Sequence, residues 1–386
     1  MAAATIYLTN DCNLRCKHCA VGHDQLRARP TMTTAEVTAV IGNFAAHGVK
    51  VVTLLGGEVT TGRTDLAEIL AYSRDVGMRV SINTNLTAFD RLEPLLAIGS
   101  LFNVVVSLDG LSAATHDRMR GKGSFAKTIQ NLGALCAHPR VVEKAVSVDV
   151  TFVLSGVNKD DIYALPAFYK RYNLNALNFK TLQYSDRALT NKSQLYLSEK
   201  ELLDRCTTFY ALCMLEGGMK VDMHIPPAFG HYLSRLLPTP EHLWNFASCG
   251  GTGVYTYVDL YGNNLPCPAM SYEENRDHST LKSRLPSLSA ISNPIADIQA
   301  RSLFRGFDKS IARHHRNRNM HPCSMCVYSD RCSPCTSEVI RSNGSGAVDL
   351  CAAVLAHGDA RVPGIGAELF RRTDDAPATA PAVAAG

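Results

Sequence analysis

Three cysteines stand close together near the start of the chain, Cys12, Cys16 and Cys19, in the segment CNLRCKHC. They follow an apolar stretch, residues 4–9, that is typical of a buried strand. In a reducing compartment, clustered cysteines more often bind metal than form disulfides. Three thiolates do not complete the four-ligand shell of a structural zinc site. They can hold three irons of a [4Fe–4S] cube and leave the fourth iron open, so the spacing favours an iron–sulfur centre.

A second set of cysteines occupies the last third of the chain. Its seven members do not divide cleanly into two four-cysteine zinc sites, which disfavours a zinc ribbon there. They are Cys249, Cys267, Cys323, Cys326, Cys332, Cys335 and Cys351. The other three of the 13 cysteines, Cys136, Cys206 and Cys213, lie in apolar, helix-like surroundings and are expected in the core.

Composition excludes several classes of protein. The 386 residues are 46% hydrophobic, enough for a large core, and the net charge of only +4 gives no argument for a nucleic-acid partner. No apolar run approaches the roughly 18 residues that cross a bilayer, and the first residues lack the basic and apolar regions of a secretory signal. No hydrolytic zinc motif of the H-E-x2-H type occurs. We therefore expect a cytoplasmic protein with no membrane partner.

Strand-like and helix-like segments alternate through the first half of the chain. Thr33 or Thr34 is a plausible N-cap for the first helix, with Glu36 in its first turn. Six strands, five of them followed by a helix, predict an α/β fold, a partial (β/α)6 TIM-like barrel, whose chemistry lies at the carboxyl ends of the strands. The predicted strands cover residues 4–9, 51–55, 79–83, 103–107, 147–154 and 176–182, and helices are predicted from residue 33 and over 64–77, 88–98, 124–137 and 160–172.

The alternation ends near residue 186, and four regions are predicted. Residues 1–190 form the barrel, and residues 191–247 form a helical bridging segment with one long helix over 198–216. Residues 248–356 are loop-rich and too poor in apolar residues to be held by a core alone, so metal centres are expected there. Residues 357–386 form a C-terminal segment whose Ala/Pro-rich tail is predicted to be disordered.

The first cysteine set resembles the C-x3-C-x2-C signature of radical S-adenosylmethionine (SAM) enzymes, and further motifs follow in that family's order. Gly56-Gly57-Glu58 resembles the segment whose backbone meets the SAM amino group, although Val59 stands where the family usually has proline. Ser107, in the sequence SLDG with Asp109, resembles the residue that approaches the SAM ribose.

Four more positions are implied by the same resemblance. The stretch HDRMRG followed by GSF makes Arg120 a candidate for the SAM carboxylate. Asn158 and Leu182 fall where SAM-binding residues are commonly found, and His18 falls where an aromatic ring packs on the adenine. The resemblance thus implies SAM and one [4Fe–4S] cluster at the mouth of the barrel.

The second cysteine set resembles the SPASM domain, a C-terminal extension that holds two auxiliary [4Fe–4S] clusters. The resemblance implies that Cys323, Cys326, Cys332 and Cys351 hold the distal cluster. Cys249, Cys267 and Cys335 would hold the proximal one, whose fourth ligand is another residue, another thiol or the substrate. The last gap of the run has two residues where three are usual. Three clusters are implied in all.

The resemblance implies a radical SAM oxidoreductase: a 5′-deoxyadenosyl radical takes hydrogen from the substrate, and the auxiliary clusters accept an electron. Oxidative modification of a ribosomally made peptide is the first hypothesis, a crosslink or thioether. Oxidation or rearrangement of a small metabolite, such as a sugar or aminocyclitol in natural-product biosynthesis, is the second. The SAM motifs disfavour a third, a non-catalytic iron–sulfur carrier. Pro268 stands where sulfatase-maturating relatives carry an aspartate, so that activity is not expected and the general base is unassigned.

Two protein partners are expected. The first predicted strand begins near residue 4, so a separate protein is expected to bind a leader peptide. A flavodoxin- or ferredoxin-type protein would donate electrons. The basic run at residues 313–318 is either a solvated face or the docking patch for such a partner.

Overall fold

The computed structural model describes residues 3–19, 31–182, 187–225, 227–236, 245–246, 255–268, 285–301, 327 and 354–357. Ten strands in these residues form one sheet in the order β10-β9-β1-β2-β3-β4-β5-β6-β7-β8. Every neighbouring pair is parallel except β9 and β10. The strands are β1 Ala3–Tyr7, β2 Val51–Leu55, β3 Arg79–Thr84, β4 Leu101–Ser107, β5 Ser147–Leu154, β6 Ala176–Thr181, β7 Val221–Ile225, β8 Asn245–Phe246, β9 Tyr255–Val258 and β10 Asn264–Leu265.

Helices connect most of these strands. They are α1 Thr34–Ala46, α2 Leu66–Asp75, α3 Phe89–Leu92, α4 Ala113–Arg120, α5 Ser124–Ala137, α6 Pro139–Val142, α7 Leu165–Arg171, α8 Arg187–Thr190, α9 Lys192–Leu195, α10 Glu199–Glu216, α11 Pro227–Leu236 and α12 Ile295–Gln299. Short 3-10 turns lie at Val59–Thr61, Glu93–Ala97, Asp161–Tyr163 and Pro286–Leu288. None of the described helices is long and apolar enough to cross a membrane.

Local sequence signals explain several helix starts. The Thr33 hydroxyl accepts from the Glu36 N–H while the Glu36 carboxylate accepts from the Thr33 N–H, a reciprocal capping box at the start of α1. Ser198 and Glu201 repeat this arrangement at the start of α10. The predicted helix 88–98 is instead α3 followed by a 3-10 turn, because Pro94 has no N–H for the helical ladder.

The helices cover one face of the sheet. Val150, Phe152 and Phe179 on that face are fully buried, and the Phe179 ring stacks on Phe209 of α10 with the centroids 4.1 Å apart. Strands β1 to β6 lie at the six predicted places, so the prediction of an α/β fold with a mostly parallel sheet, matching a partial TIM-like barrel, is confirmed. The periodicity did not reveal α4, β7 or α11.

The sheet continues past both edges of the six predicted strands. Strand β7 pairs with β6, and β9 pairs in parallel with β1 through the register Ala3↔Tyr255 to Ile6↔Val258. Strands β9 and β10 belong to the segment predicted as a separate SPASM domain, yet here they extend the barrel sheet. The division into four regions stays a prediction, since most of residues 302–386 lies outside the described chain.

Candidate functional site

The loop that carries Cys12, Cys16 and Cys19 follows β1 directly and lies against the carboxyl ends of the neighbouring strands. The Gly57 N–H donates to the Thr9 carbonyl at 2.7 Å, and the Glu58 N–H donates to the Asp11 carbonyl at 2.8 Å. Farther along, the Lys17 N–H donates to the Met119 carbonyl at 2.8 Å, at the end of α4. The loop is therefore held by backbone contacts at both ends.

Glycine is required where β2 meets this loop. A Cβ at Gly57 would lie 2.3 Å from the Asp11 carbonyl oxygen, and a Cβ at Gly56 would lie 2.6 Å from the Thr9 carbonyl oxygen. Both distances are far inside van der Waals contact, and the neighbours are backbone atoms that cannot rotate away. The Gly-Gly pair lets the cysteine loop pack directly on the end of β2.

The Glu58 carboxylate is buried and serves as an internal anchor. Its Oε1 accepts from the Thr60 and Thr84 hydroxyls, each at 2.8 Å, and its Oε2 accepts from the Asn85 N–H at 2.6 Å. The Asn85 side chain then donates to Asn13 Oδ1 in the cysteine loop at 2.9 Å. Glu58 therefore joins the ends of β2 and β3 to the loop, a role that its place in a motif does not reveal.

The three thiols lie within electrostatic reach of one another. Burial, together with the neighbouring Cys16, Glu58 and Cys19, raises the pKa of Cys12 to about 12. Cys16 is buried, which raises its pKa, while Arg120 opposes that shift. Bound metal is what stabilises thiolates in such surroundings, so the donor set fits three irons of one cluster. Among the described residues no three His, Cys, Asp or Glu side chains converge on a single-ion position.

A buried polar group adjoins Cys16. Asp109 Oδ2 accepts from Arg120 Nε at 2.6 Å and lies 3.1 Å from His18 Nε2, while its Oδ1 accepts from the Val153 N–H at 2.9 Å. Burial alone would raise the pKa of Asp109, but the Arg120 guanidinium and His18 hold it below its usual range. Arg120 Nη1 lies 4.0 Å from the Cys16 sulfur. The ion pair between Arg120 and Asp109 thus lies beside the cysteine loop.

His18 is fixed through its ring edge. Burial lowers the pKa of His18 and Asp109 opposes this shift, while the ring places Nε2 at 3.1 Å from Asp109 Oδ2. Its buried Nδ1 has no hydrogen-bond partner in the part of the chain that the structure describes. Packing of the ring on adenine, implied by the resemblance, stays a prediction.

The other predicted SAM contacts lie at the same edge of the sheet. Asn158 donates from Nδ2 to the Asp109 and Val153 carbonyls at 3.1 and 2.8 Å and accepts from the Ser155 N–H at 2.7 Å. All its hydrogen-bonding groups are therefore engaged in joining β4 to β5. Leu182 is half-buried and packs with Met119, Ala188 and Leu195. Ser107 is half-buried at the end of β4.

The HDRMRG stretch, residues 116–121, forms the second part of α4 and the turn that follows it. The Asp117 carboxylate accepts from the N–H groups of Gly123 and Phe125 at 2.7 and 2.8 Å, which caps the start of α5. Burial acts against ionisation there, but these two N–H groups lower the pKa of Asp117. Gly121, at φ +125°, allows the chain to turn directly after Arg120. Sequence reasoning did not reveal this role of Asp117, because the N-cap residue itself is Gly123 and the capping carboxylate lies six residues before it.

Of the seven cysteines predicted to hold the auxiliary clusters, the described residues include Cys267. It is half-buried two residues after β10. The other six predicted ligands, Cys249, Cys323, Cys326, Cys332, Cys335 and Cys351, lie outside the described residues. Of the three cysteines expected in the core, Cys206 and Cys213 are buried in α10, and Cys136 is half-buried.

The geometry defines a class of protein: an α/β partial barrel with a three-thiol loop after its first strand and a buried ion pair beside it. Residues 6–168 match the family model of the radical SAM superfamily. This part of the chain is a radical SAM domain, and members of that superfamily are enzymes.

Individual relatives agree with this assignment. The chain is 34% identical to Fe-coproporphyrin III synthase of Methanosarcina barkeri over 47% of this chain and 44% of that protein. It is 30% identical to mycofactocin maturase MftC of Mycolicibacterium smegmatis over 68% of this chain and 62% of that protein. The matches thus span less than two thirds of either relative.

A solved structure shares the fold. SuiB of Streptococcus suis bound to its precursor peptide SuiA superposes with a TM-score of 0.66 over 90% of this chain and 75% of that chain, at 15% identity. At that identity the likeness concerns the fold alone.

Proposed function

We propose that this protein is a radical SAM oxidoreductase that oxidatively modifies a ribosomally made peptide. The observation that carries the proposal is the cysteine loop at the carboxyl end of β1, with Arg120 4.0 Å from the Cys16 sulfur and paired to the buried Asp109. Thiols, a fixed cation and a strand end meet there within one radical SAM domain. A cytoplasmic location accords with the clustered cysteines, which in a reducing compartment more often bind metal than form disulfides.

Cys12, Cys16 and Cys19 would hold a [4Fe–4S] cluster, and SAM would bind at its open iron. When bound, this pair supplies a 5′-deoxyadenosyl radical that takes hydrogen from an unactivated carbon. Arg120 is suited to the SAM carboxylate because Asp109 fixes its Nε, while its Nη1 lies 4.0 Å from the Cys16 sulfur. Gly56, Gly57, Glu58, Ser107, Asn158, Leu182 and His18 would shape the remaining SAM site.

Two auxiliary [4Fe–4S] clusters are part of the proposal. Cys323, Cys326, Cys332 and Cys351 would hold one, and Cys249, Cys267 and Cys335 would hold the other. Such clusters suit a net oxidation, because a substrate radical that loses a proton must also pass on an electron. A flavodoxin- or ferredoxin-type donor and a separate leader-binding protein complete the proposed set of partners.

The peptide substrate is favoured by the extent of the matches. The similarity to MftC, named as a maturase, covers 68% of this chain, and SuiB was solved with a precursor peptide. A small metabolite is the second candidate, favoured by the 34% identity to Fe-coproporphyrin III synthase. That match covers 47% of this chain, less than the 68% covered by the match to MftC.

The test is anaerobic reconstitution with iron and sulfide, followed by incubation with SAM and dithionite. The three-cluster proposal predicts about 12 iron per chain and formation of 5′-deoxyadenosine. Mass spectrometry of candidate peptides and metabolites after incubation would identify the substrate class by a mass loss of two hydrogens or by a crosslink. Purified protein that holds zinc and no iron would overturn the proposal.

A further inference from the structure

The sheet face opposite the helices carries polar side chains at two levels. Residues on this face alternate with the buried apolar residues that pack under the helices. The lower level lies toward the amino ends of β3, β4 and β5. The upper level runs from Ser107 at the carboxyl end of β4, across β5 and β6, to Asp222 near the amino end of β7. Both levels consist of hydroxyl, amide and carboxylate groups, but their hydrogen bonding differs.

At the lower level the polar groups satisfy one another. Asn103 donates to Asp149 Oδ2 at 2.9 Å and to Ser81 Oγ at 3.3 Å, and it accepts from Ser147 Oγ at 3.0 Å. Asn175 donates to the other Asp149 oxygen at 2.9 Å. This closed network holds the strands together. Few of its hydrogen-bonding groups are left to bind a ligand.

At the upper level the side chains stand in one row across four strands. The register pairs Ser107 with Thr151, Thr151 with Asn178, and Asn178 with Asp222. All four residues are half-buried. Within the described residues, the side chains of Ser107, Thr151 and Asn178 make no hydrogen bond, which is the opposite of the level below.

The row lies directly below the candidate SAM site. Val153, two residues beyond Thr151 on the same face, donates its N–H to Asp109. One pleat repeat, about 6.6 Å, therefore separates Thr151 in the row from Val153, whose N–H contacts Asp109. Ser107, the predicted ribose contact, begins the row, so a molecule lying along it would have one end beside the ribose.

We propose that Thr151, Asn178 and Asp222 form the floor of the substrate site and bind the backbone of an extended peptide segment. Two strand spacings, about 10 Å, separate Thr151 from Asp222, which matches about three residues of extended peptide at 3.3 Å each. A hydroxyl and a carboxamide both donate and accept, as peptide groups require, and Asp222 accepts from an N–H or ammonium at the far end. This inference rests on the proposed function and specifies where its substrate lies.

The test uses a backbone-only probe, N-acetyl-triglycinamide, with the anaerobically reconstituted protein. Crystals soaked with the probe are expected to show it across Thr151, Asn178 and Asp222. In solution the probe should change the rate of 5′-deoxyadenosine formation saturably. Thr151→Val and Asn178→Leu should each raise the half-saturating concentration about threefold to tenfold, the effect of one lost hydrogen bond.

Thr53→Val is the matched control, since Thr53 lies on the same face in β2 at the lower level, three strands from Thr151. It should leave the half-saturating concentration unchanged. The inference would be overturned by density for the probe elsewhere in the protein or by no density at all. Binding of the probe at crystal concentration only, or occupancy of the row by glucose in place of the peptide, would also overturn it. A wild-type protein that forms no 5′-deoxyadenosine would instead overturn the proposed function, so the two failures are distinguishable.

Discussion

Two buried aspartates, Asp109 after the carboxyl end of β4 and Asp149 near the amino end of β5, have opposite environments. Asp149 is bound by the neutral amides of Asn103 and Asn175, whereas Asp109 is bound by Arg120 and His18 beside three thiols. Neutral amides satisfy a carboxylate without adding charge, so the Asp149 network only holds strands together. A fixed cation next to thiols instead creates a place where charged chemistry is stabilised. Whether a buried aspartate has a structural role or belongs to a functional site therefore depends on its partner groups more than on its burial.

Replacement of Cys16 by Ala should have the largest effect of the substitutions that test this comparison, because it removes a thiol of the charged site. Without its buried central thiol the loop has only two of three proposed ligands, so 5′-deoxyadenosine formation should fall below detection and the iron content by about 4 per chain. Cys213→Ala, in the buried face of α10, is the control and should keep both. Iron retained at the wild-type level in Cys16→Ala would show that the loop does not hold a cluster.

Gly57→Ala should be nearly as severe, because the new Cβ would lie 2.3 Å from the Asp11 carbonyl oxygen. The cysteine loop must then move away from β2, and we expect loss of at least 90% of cluster incorporation, measured by absorbance and iron analysis. Gly133→Ala is the matched control. Its Cβ meets nothing within 4 Å inside α5, so it should raise the unfolding free energy by up to about 1 kcal/mol. Similar effects of the two substitutions would contradict the close-approach argument.

Asp109→Asn tests the charged network, and Asp149→Ala tests the neutral one. The first leaves the buried Arg120 guanidinium without its counter-charge, so a destabilisation of about 3–5 kcal/mol and a weakened SAM-induced change in the cluster's paramagnetic spectrum are expected. The second removes hydrogen bonds between strands and should cost about 1–3 kcal/mol in thermal unfolding. Asp149→Ala should keep the spectral response to SAM. If both variants lost the spectral response to SAM equally, Asp109 would have only a structural role.

Much of the sheet could be predicted from the sequence, because β-branched strands and amphipathic helices recur with a clear period. The capping residues Thr33 and Ser198 illustrate how local chemistry fixes a boundary. The pairing of β7 with β6 and of β9 with β1 could not be predicted in this way, because these partners are distant in sequence and short strands carry little periodic signal. Similarly, the motif places Glu58 and Asp117 near the site but does not reveal that the first anchors the loop and the second caps α5. Those roles depend on partners that only the folded chain brings together.

The smallest predicted effect is on the pH dependence of the free energy of unfolding, and it arises at the start of α10. Hydrogen bonds from Lys159 and Ser198 lower the pKa of Glu201 from its ordinary value to about 2. A carboxylate with a lowered pKa in the folded state stabilises the protein above its unfolded pKa, about 4.3, and this contribution disappears as the pH falls toward 2. Glu201→Gln should remove that part of the acid dependence while costing below about 1 kcal/mol at neutral pH, because both partners are partly exposed. Chemical denaturation of the two proteins between pH 5 and about 3 measures the difference. Parallel acid profiles would show that the Lys159 contact is not maintained in solution, whereas a flatter profile for the variant would show that this cap stabilises the helix beside the barrel.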